Sequence, residues 1–116
     1  SSTTEGNADP SVWLKTELYF GVANLEGRGI SEEEWQAFIN DVVTPLFQEG
    51  MTIYDAYGQW QNSSGKIARI RSKVLILVYQ PSPQKEKGIL TIEATFKEKF
   101  NQKSVMRLDI PVKASF

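Results

Sequence analysis

The sequence predicts an α+β fold: a ferredoxin-like βαββαβ sandwich, with a four-stranded antiparallel sheet and two helices on one face. Three observations predict it. Stretches of period-two alternation and stretches of three-and-four spacing follow one another in the order β-α-β-β-α-β. VLILV, residues 74–78, is apolar on both sides, as suits a central strand. Pro111 falls inside the last strand, and a proline that cannot donate to a ladder suits an edge.

Each element has its own signal. In residues 13–22, WLKTELYFGV, Leu14, Thr16, Leu18 and Phe20 share one face, while Trp13, Lys15, Glu17 and Tyr19 share the other. A loop with Asn24, Gly27 and Gly29 follows. The helix predicted over 30–47 opens on a capping box, Ser31 with Glu34, flanked by Ile30 and Trp35 in staple positions. Trp35, Phe38, Ile39, Val42, Val43 and Leu46 form its apolar stripe. Pro45 should kink or stop this helix near Thr44, and Gly50 closes the segment. Residues 51–61 and 66–80 read as strands around the turn Asn62-Ser63-Ser64-Gly65. PSPQ (81–84) breaks the second of them. Ile89, Ile92, Phe96 and Phe100 predict a helix over 85–101, and 105–112 is the last strand.

Composition excludes more than it identifies. The chain has 116 residues, about one domain, with 41% hydrophobic and 23% charged residues. The opening SSTTEGNADP makes residues 1–12 a polar tail before a single domain, 13–116. Such a tail fits the remnant of a removed export leader as well as an ordinary frayed terminus. Thirteen basic against fourteen acidic residues leave a net charge of -1, with no general attraction for nucleic acid or an acidic membrane. No apolar run reaches the ~20 residues of a membrane span. With neither Cys nor His, the chain has no thiol nucleophile, no disulfide frame, no thiolate or imidazole metal ligand and no imidazole base. Glycine-rich phosphate loops, nucleophile elbows and EF-hand patterns are absent, so no cofactor or metal is expected. Residues 18–25, LYFGVANL, carry a trace of the first-strand motif of RNA-recognition domains, but the third strand lacks the matching aromatics.

The hairpin holds the chemistry. With Ser63 and Ser64 as a two-residue turn, Trp60 faces Ile67, Gly58 faces Arg69, Ala56 faces Arg71 and Tyr54 faces Lys73. The other face pairs Tyr57 with Ile70, Asp55 with Ser72 and Ile53 with Val74, and it should point at the helices. Arg69, Arg71 and Lys73 then stand among Tyr54 and Trp60 on the open face. A solvated surface fits this stripe. So does a homodimer interface or a small-ligand site, since arginine and aromatic residues together mark interfaces. Asp55 beside Ser72, with Gln59 nearby, is either a strand-end carboxylate holding a loop or one acid of a polar site. Two functions follow: a non-enzymatic binding or self-associating module using the open face, or a small cofactor-free enzyme of lyase, isomerase or oxygenase type with a site near Asp55 and Ser72, working with Arg71 or Lys73.

ELYFG (17–21), WQAF (35–38), VTPLF (43–47), GMTIYDAYGQW (50–60), RSKVL (71–75) and FNQKSV (100–105) occur in that order. This set resembles the bacterial family known as domain of unknown function 3574, over about residues 13–116. The resemblance implies a bacterial protein, often made with an export leader, and no established activity. Members commonly carry Glu just before the R-S-K string, where this chain has Ile70. A polar site there would therefore be short of one carboxylate.

Overall fold

The computed structural model describes residues 12–24 and 27–116. The tail expected over residues 1–12 lies outside them except for Val12, which opens the first strand. The elements are β1 (Val12–Ala23), α1 (Glu32–Phe38), a π-helical turn (Ile39–Val43), α2 (Thr44–Leu46), β2 (Thr52–Gln61), β3 (Ile67–Tyr79), α3 (Pro83–Lys99) and β4 (Met106–Lys113). One antiparallel sheet has the order β2-β3-β1-β4, so the doubly apolar β3 is central and the proline-bearing β4 is an edge.

The capping box closes as the spacing demands. Glu34 N donates to Ser31 Oγ and Ser31 N donates to Glu34 Oε1, each at 3.0 Å. Pro45 does not stop the helix at Thr44. It has no N–H to give and its ring crowds the turn before it, and the chain answers with the wide turn at Ile39–Val43, where Thr44 N bonds Ile39 O. α3 starts two residues earlier than its apolar spacing indicates. Ser82 caps it by accepting from Lys85 N at 3.1 Å, and Pro83 takes the first helical position. The proline that reads as a breaker is a starter.

Leu18 and Phe20 of β1, Leu75 and Leu77 of β3, Trp35 and Phe38 of α1, and Ile89, Ile92 and Phe96 of α3 form one buried core. Its centre is aromatic: Phe20 lies 4.6 Å from Phe96 and 5.3 Å from Trp35, centroid to centroid. Each of these side chains contributes roughly 1.5–3 kcal/mol by burial, and tilted or edge-to-face contacts add about 0.5–1.5 kcal/mol each.

The hairpin corrects one expectation, and the correction moves the site. The loop has three residues, not two. Asn62 N bonds Lys66 O at 2.8 Å, Gly65 N bonds Asn62 O at 2.9 Å, and Gly65 has φ +83. A type I turn followed by a left-handed glycine is the usual three-residue solution. The register therefore slips by one: Asp55 pairs with Lys73, Tyr57 with Arg71 and Gln59 with Arg69, while Ala56 pairs with Ser72 and Trp60 with Ala68. Directly paired residues share a face, so Arg69, Arg71 and Lys73 stand on the helix side, in line with Leu75 and Leu77. Tyr54 and Trp60 remain on the open face.

Candidate functional site

β3 runs past the end of the helix layer, and Lys73 is where it leaves the core. Its Cα partners are Phe20 on β1 and Asp55 on β2. The stem lies beside the Trp35 ring, whose centroid is 6.0 Å from Nζ, and the residue is only 8% exposed. The ammonium donates to Asp55 Oδ1 at 2.5 Å, and to Glu32 Oε1 and Oε2 at 2.7 and 3.1 Å. One cation thus ties β2 to the first turn of α1. Burial works to lower the Lys73 pKa. The hydrogen bonds to Asp55 and Glu32 outweigh it and leave the group above its usual value. Lys73 is therefore charged at neutral pH. In this geometry it bridges the two carboxylates rather than standing free.

Those carboxylates open onto a cavity of about 190 Å³, whose lining includes Val22, Trp35, Tyr57 and Arg71. Its rim is built from the β1–α1 loop. Gly29 bridges to Ala23, and Ile30 N bonds Val22 O at 2.7 Å. A Cβ on Gly29 would meet Val22 O at 2.2 Å, and its φ is +144, so only glycine lets the loop press this close. Tyr57 stands out from the rim, 76% exposed. Arg71 is exposed, and its side chain makes no hydrogen bond or ion pair with any described residue. Asp55 and Arg71 are diagonal neighbours on one face, roughly 7–8 Å apart.

The residues singled out in the sequence therefore separate. Asp55, Arg71 and Lys73 line the same cavity. Ser72 is on the opposite face beside Ala56 and is not the partner of Asp55. Gln59 accepts from Arg69 Nε at 3.0 Å near the hairpin end, away from this cluster. Glu32 and Trp35 also belong to the site; Glu32 carries no signal in the sequence, and Trp35 reads there only as a staple and core residue. Nothing local in the sequence brings residue 32 to residue 73. The Asn62-x-x-Gly65 spacing, however, was a usable sign of the three-residue loop. Among the described residues no group of His, Cys, Asp and Glu is placed to hold a metal ion.

Fold and site define an α+β domain, a four-stranded antiparallel sheet backed by helices on one face, with a charged cavity at the corner where β2 and β3 pass the start of α1. The chain belongs to the family described as "Protein of unknown function (DUF3574)", whose profile matches residues 15–116. No curated protein matches it. Two solved structures share its fold. One is a phage SAM lyase in complex with S-methyl-5'-thioadenosine, with 11% identity, TM-score 0.61 and 97% of each chain covered. The other is a phage SAM lyase in the apo state, with 12% identity, TM-score 0.59 and coverage of 99% of this chain and 98% of that one.

Proposed function

We propose that this domain binds a small zwitterionic molecule, of the amino-acid type, in the cavity at Lys73. One observation carries the reading: Arg71, a guanidinium with no side-chain partner among the described residues, and Glu32 and Asp55, a carboxylate pair held by Lys73, border the same small cavity. Arg71 suits the ligand's carboxylate through a bidentate pair. The carboxylates, already oriented by Lys73, suit its cationic end. At about 190 Å³ the cavity is smaller than the ~300 Å³ at which pockets begin to enclose whole drug-sized ligands. It would hold one end of a larger molecule, with the remainder lying against the exposed ring of Tyr57.

The second reading is that the site is catalytic, in a small cofactor-free enzyme of lyase type. The strand order, with the first and third strands central, fits the ferredoxin-like sandwich, and both structural neighbours named above are lyases of S-adenosylmethionine. That substrate has an α-carboxylate to suit Arg71 and two cations, its α-ammonium and its sulfonium, to suit the carboxylate pair. Asp55 is the carboxylate closest to Lys73 and would be the group nearest a reacting proton.

Titration calorimetry with S-adenosylmethionine, S-methyl-5'-thioadenosine and methionine tests the binding, and chromatography of the incubated mixture tests turnover. Binding of a zwitterion that weakens at least tenfold in Arg71→Met and in Asp55→Asn supports the site. No binding of any of the three, or binding indifferent to both substitutions, rejects it. Binding without product leaves a binding module and removes the enzyme.

A further inference from the structure

The open face of the sheet holds a different kind of surface. The slipped register puts Tyr54 and Trp60 there from β2, Ile76 and Val78 from β3, and Met106, Leu108 and Ile110 from β4. Tyr54, Trp60 and Met106 are about half exposed, and Val78, Leu108 and Ile110 somewhat less. Charge is nearly absent from the strand positions on this side. Lys15 and Glu17, both on the central β1, are the exception, and they pair with each other at 3.4 Å. Glu17 also accepts from the Tyr19 hydroxyl at 2.8 Å.

We infer that this face packs against the same face of a second copy of the chain. Its size matches what such packing needs. Four strands at about 4.8 Å spacing span roughly 19 Å, and the twelve residues of β1 at about 3.3 Å each span roughly 40 Å, giving on the order of 700 Å² once the shorter edge strands are allowed for. A standard stable interface takes about 800 Å² from each partner. Its composition, aromatic and aliphatic with one mutually paired cation and anion as its only strand charges, is closer to an interface core than to a solvated surface. Its charge pattern selects the partner. A face with one cation beside one anion has no net sign to offer a charged foreign surface. Related by a two-fold axis, however, it sets Lys15 of one copy within reach of Glu17 of the other. The sheets would stack about 10 Å apart, as in sheet-on-sheet cores. The cavity at Lys73 opens on the helix side, so this assembly is independent of the ligand site.

Sedimentation velocity of the whole chain, from a few micromolar to about 100 µM, reads the assembly directly. The expected species has twice the 13.1 kDa chain mass. Leu108→Lys, with its circular dichroism unchanged, should raise the dimer dissociation constant at least a hundredfold. Leu90→Lys, at a somewhat more exposed position on α3, should leave it unchanged. The chain has no cysteine, so a second measurement is available if Leu108→Lys does not fold. Tyr54→Cys should crosslink copy to copy under mild oxidation or with a short bis-maleimide, and Leu90→Cys should not. A monomer at 100 µM overturns the inference. So does a dimer that survives Leu108→Lys, or crosslinking at Leu90→Cys in place of Tyr54→Cys.

Discussion

Neutralising Glu32 and Asp55 together should cost the fold far more than neutralising either alone. With one carboxylate left, the Lys73 ammonium keeps a charged partner at 2.5 or 2.7 Å. With neither, it becomes a nearly buried cation facing two neutral amides. Removing the partner of a fully buried charge costs roughly 3–5 kcal/mol. Here the carboxylates are 76% and 70% exposed, so water screens them and the figure must be cut. Asp55→Asn or Glu32→Gln should each cost about 0.5 kcal/mol, and the double variant about 2 kcal/mol, which leaves about 1 kcal/mol of coupling. Lys73→Met should cost less than about 1 kcal/mol, because it keeps the apolar stem against Trp35 and strands only hydrated carboxylates. Urea unfolding at pH 7 of the wild type and the four variants measures every term. At a slope of about 1.5 kcal/mol per molar, the double variant should lower the midpoint by about 1.3 M. Additive losses would refute the reasoning, since they would mean that the ammonium does not depend jointly on the two carboxylates. A Lys73→Met loss as large as that of the double variant would refute it differently, placing the stability in the ion pairs themselves.

Gly29→Ala should cost more than about 2 kcal/mol, because its Cβ would strike Val22 O and the backbone is already at φ +144, and chemical denaturation will show it. Thr16 is fully buried and donates to Asp109 at 2.7 Å, so the Tyr79 hydroxyl, 2.6 Å away, must donate to it. Thr16→Val should therefore cost about 2 kcal/mol and Tyr79→Phe about 1 kcal/mol in urea unfolding. Burial holds the Glu93 carboxyl above its usual range against the pull of Arg107. The fold thus favours the protonated form, and that contribution is complete below the unfolded value near 4.3 and lost as pH rises through the raised one. Glu93→Gln should raise Tm at pH 7 and show no advantage below about pH 4. Glu86 behaves oppositely: the hydrogen bonds from Arg107 lower its pKa, so its contribution holds above about pH 4.3 and fades on acidification. Arg107→Met should accordingly move the acid-unfolding midpoint to higher pH.

Local physics was enough for the elements, and fell short where spatial partners decide. Ser31 and Glu34 announce a helix start because a capping box is complete within four residues. Period-two alternation placed the right residues of β1 on the helix side because a strand has only two faces. The loop 62–66 was harder. A two-residue and a three-residue turn both suit Asn-Ser-Ser-Gly, and the choice rests on Gly65 accepting a left-handed conformation. That single residue decides which β3 side chains share a face with Asp55, and so whether the cations meet solvent or the cavity. Pro83 shows the same limit, since a proline ends one segment or begins another according to the serine before it. The site was half legible. Asp55, Arg71 and Lys73 lie within one hairpin and follow from its register. Glu32 reaches them only through the packing of α1 on the sheet, a long-range consequence of Phe20, Trp35 and Phe96 sharing a core.

The two margins of the sheet are not equally available to neighbours. The ladder from β4 to β1 continues through Leu14↔Pro111, so residue 111 owes that ladder no donor, and the N–H that proline lacks is one that would point outward. β4 is thereby blunted as a template for further strands. β2 has no proline over its ten residues, and it is the outer strand on the other side. A fibril that grows by strand addition needs two open margins, one to receive and one to offer. With only β2 open, edge pairing between copies ends after a single event, β2 against β2. One proline therefore separates a protein that can at most pair along its edge from one that could polymerise.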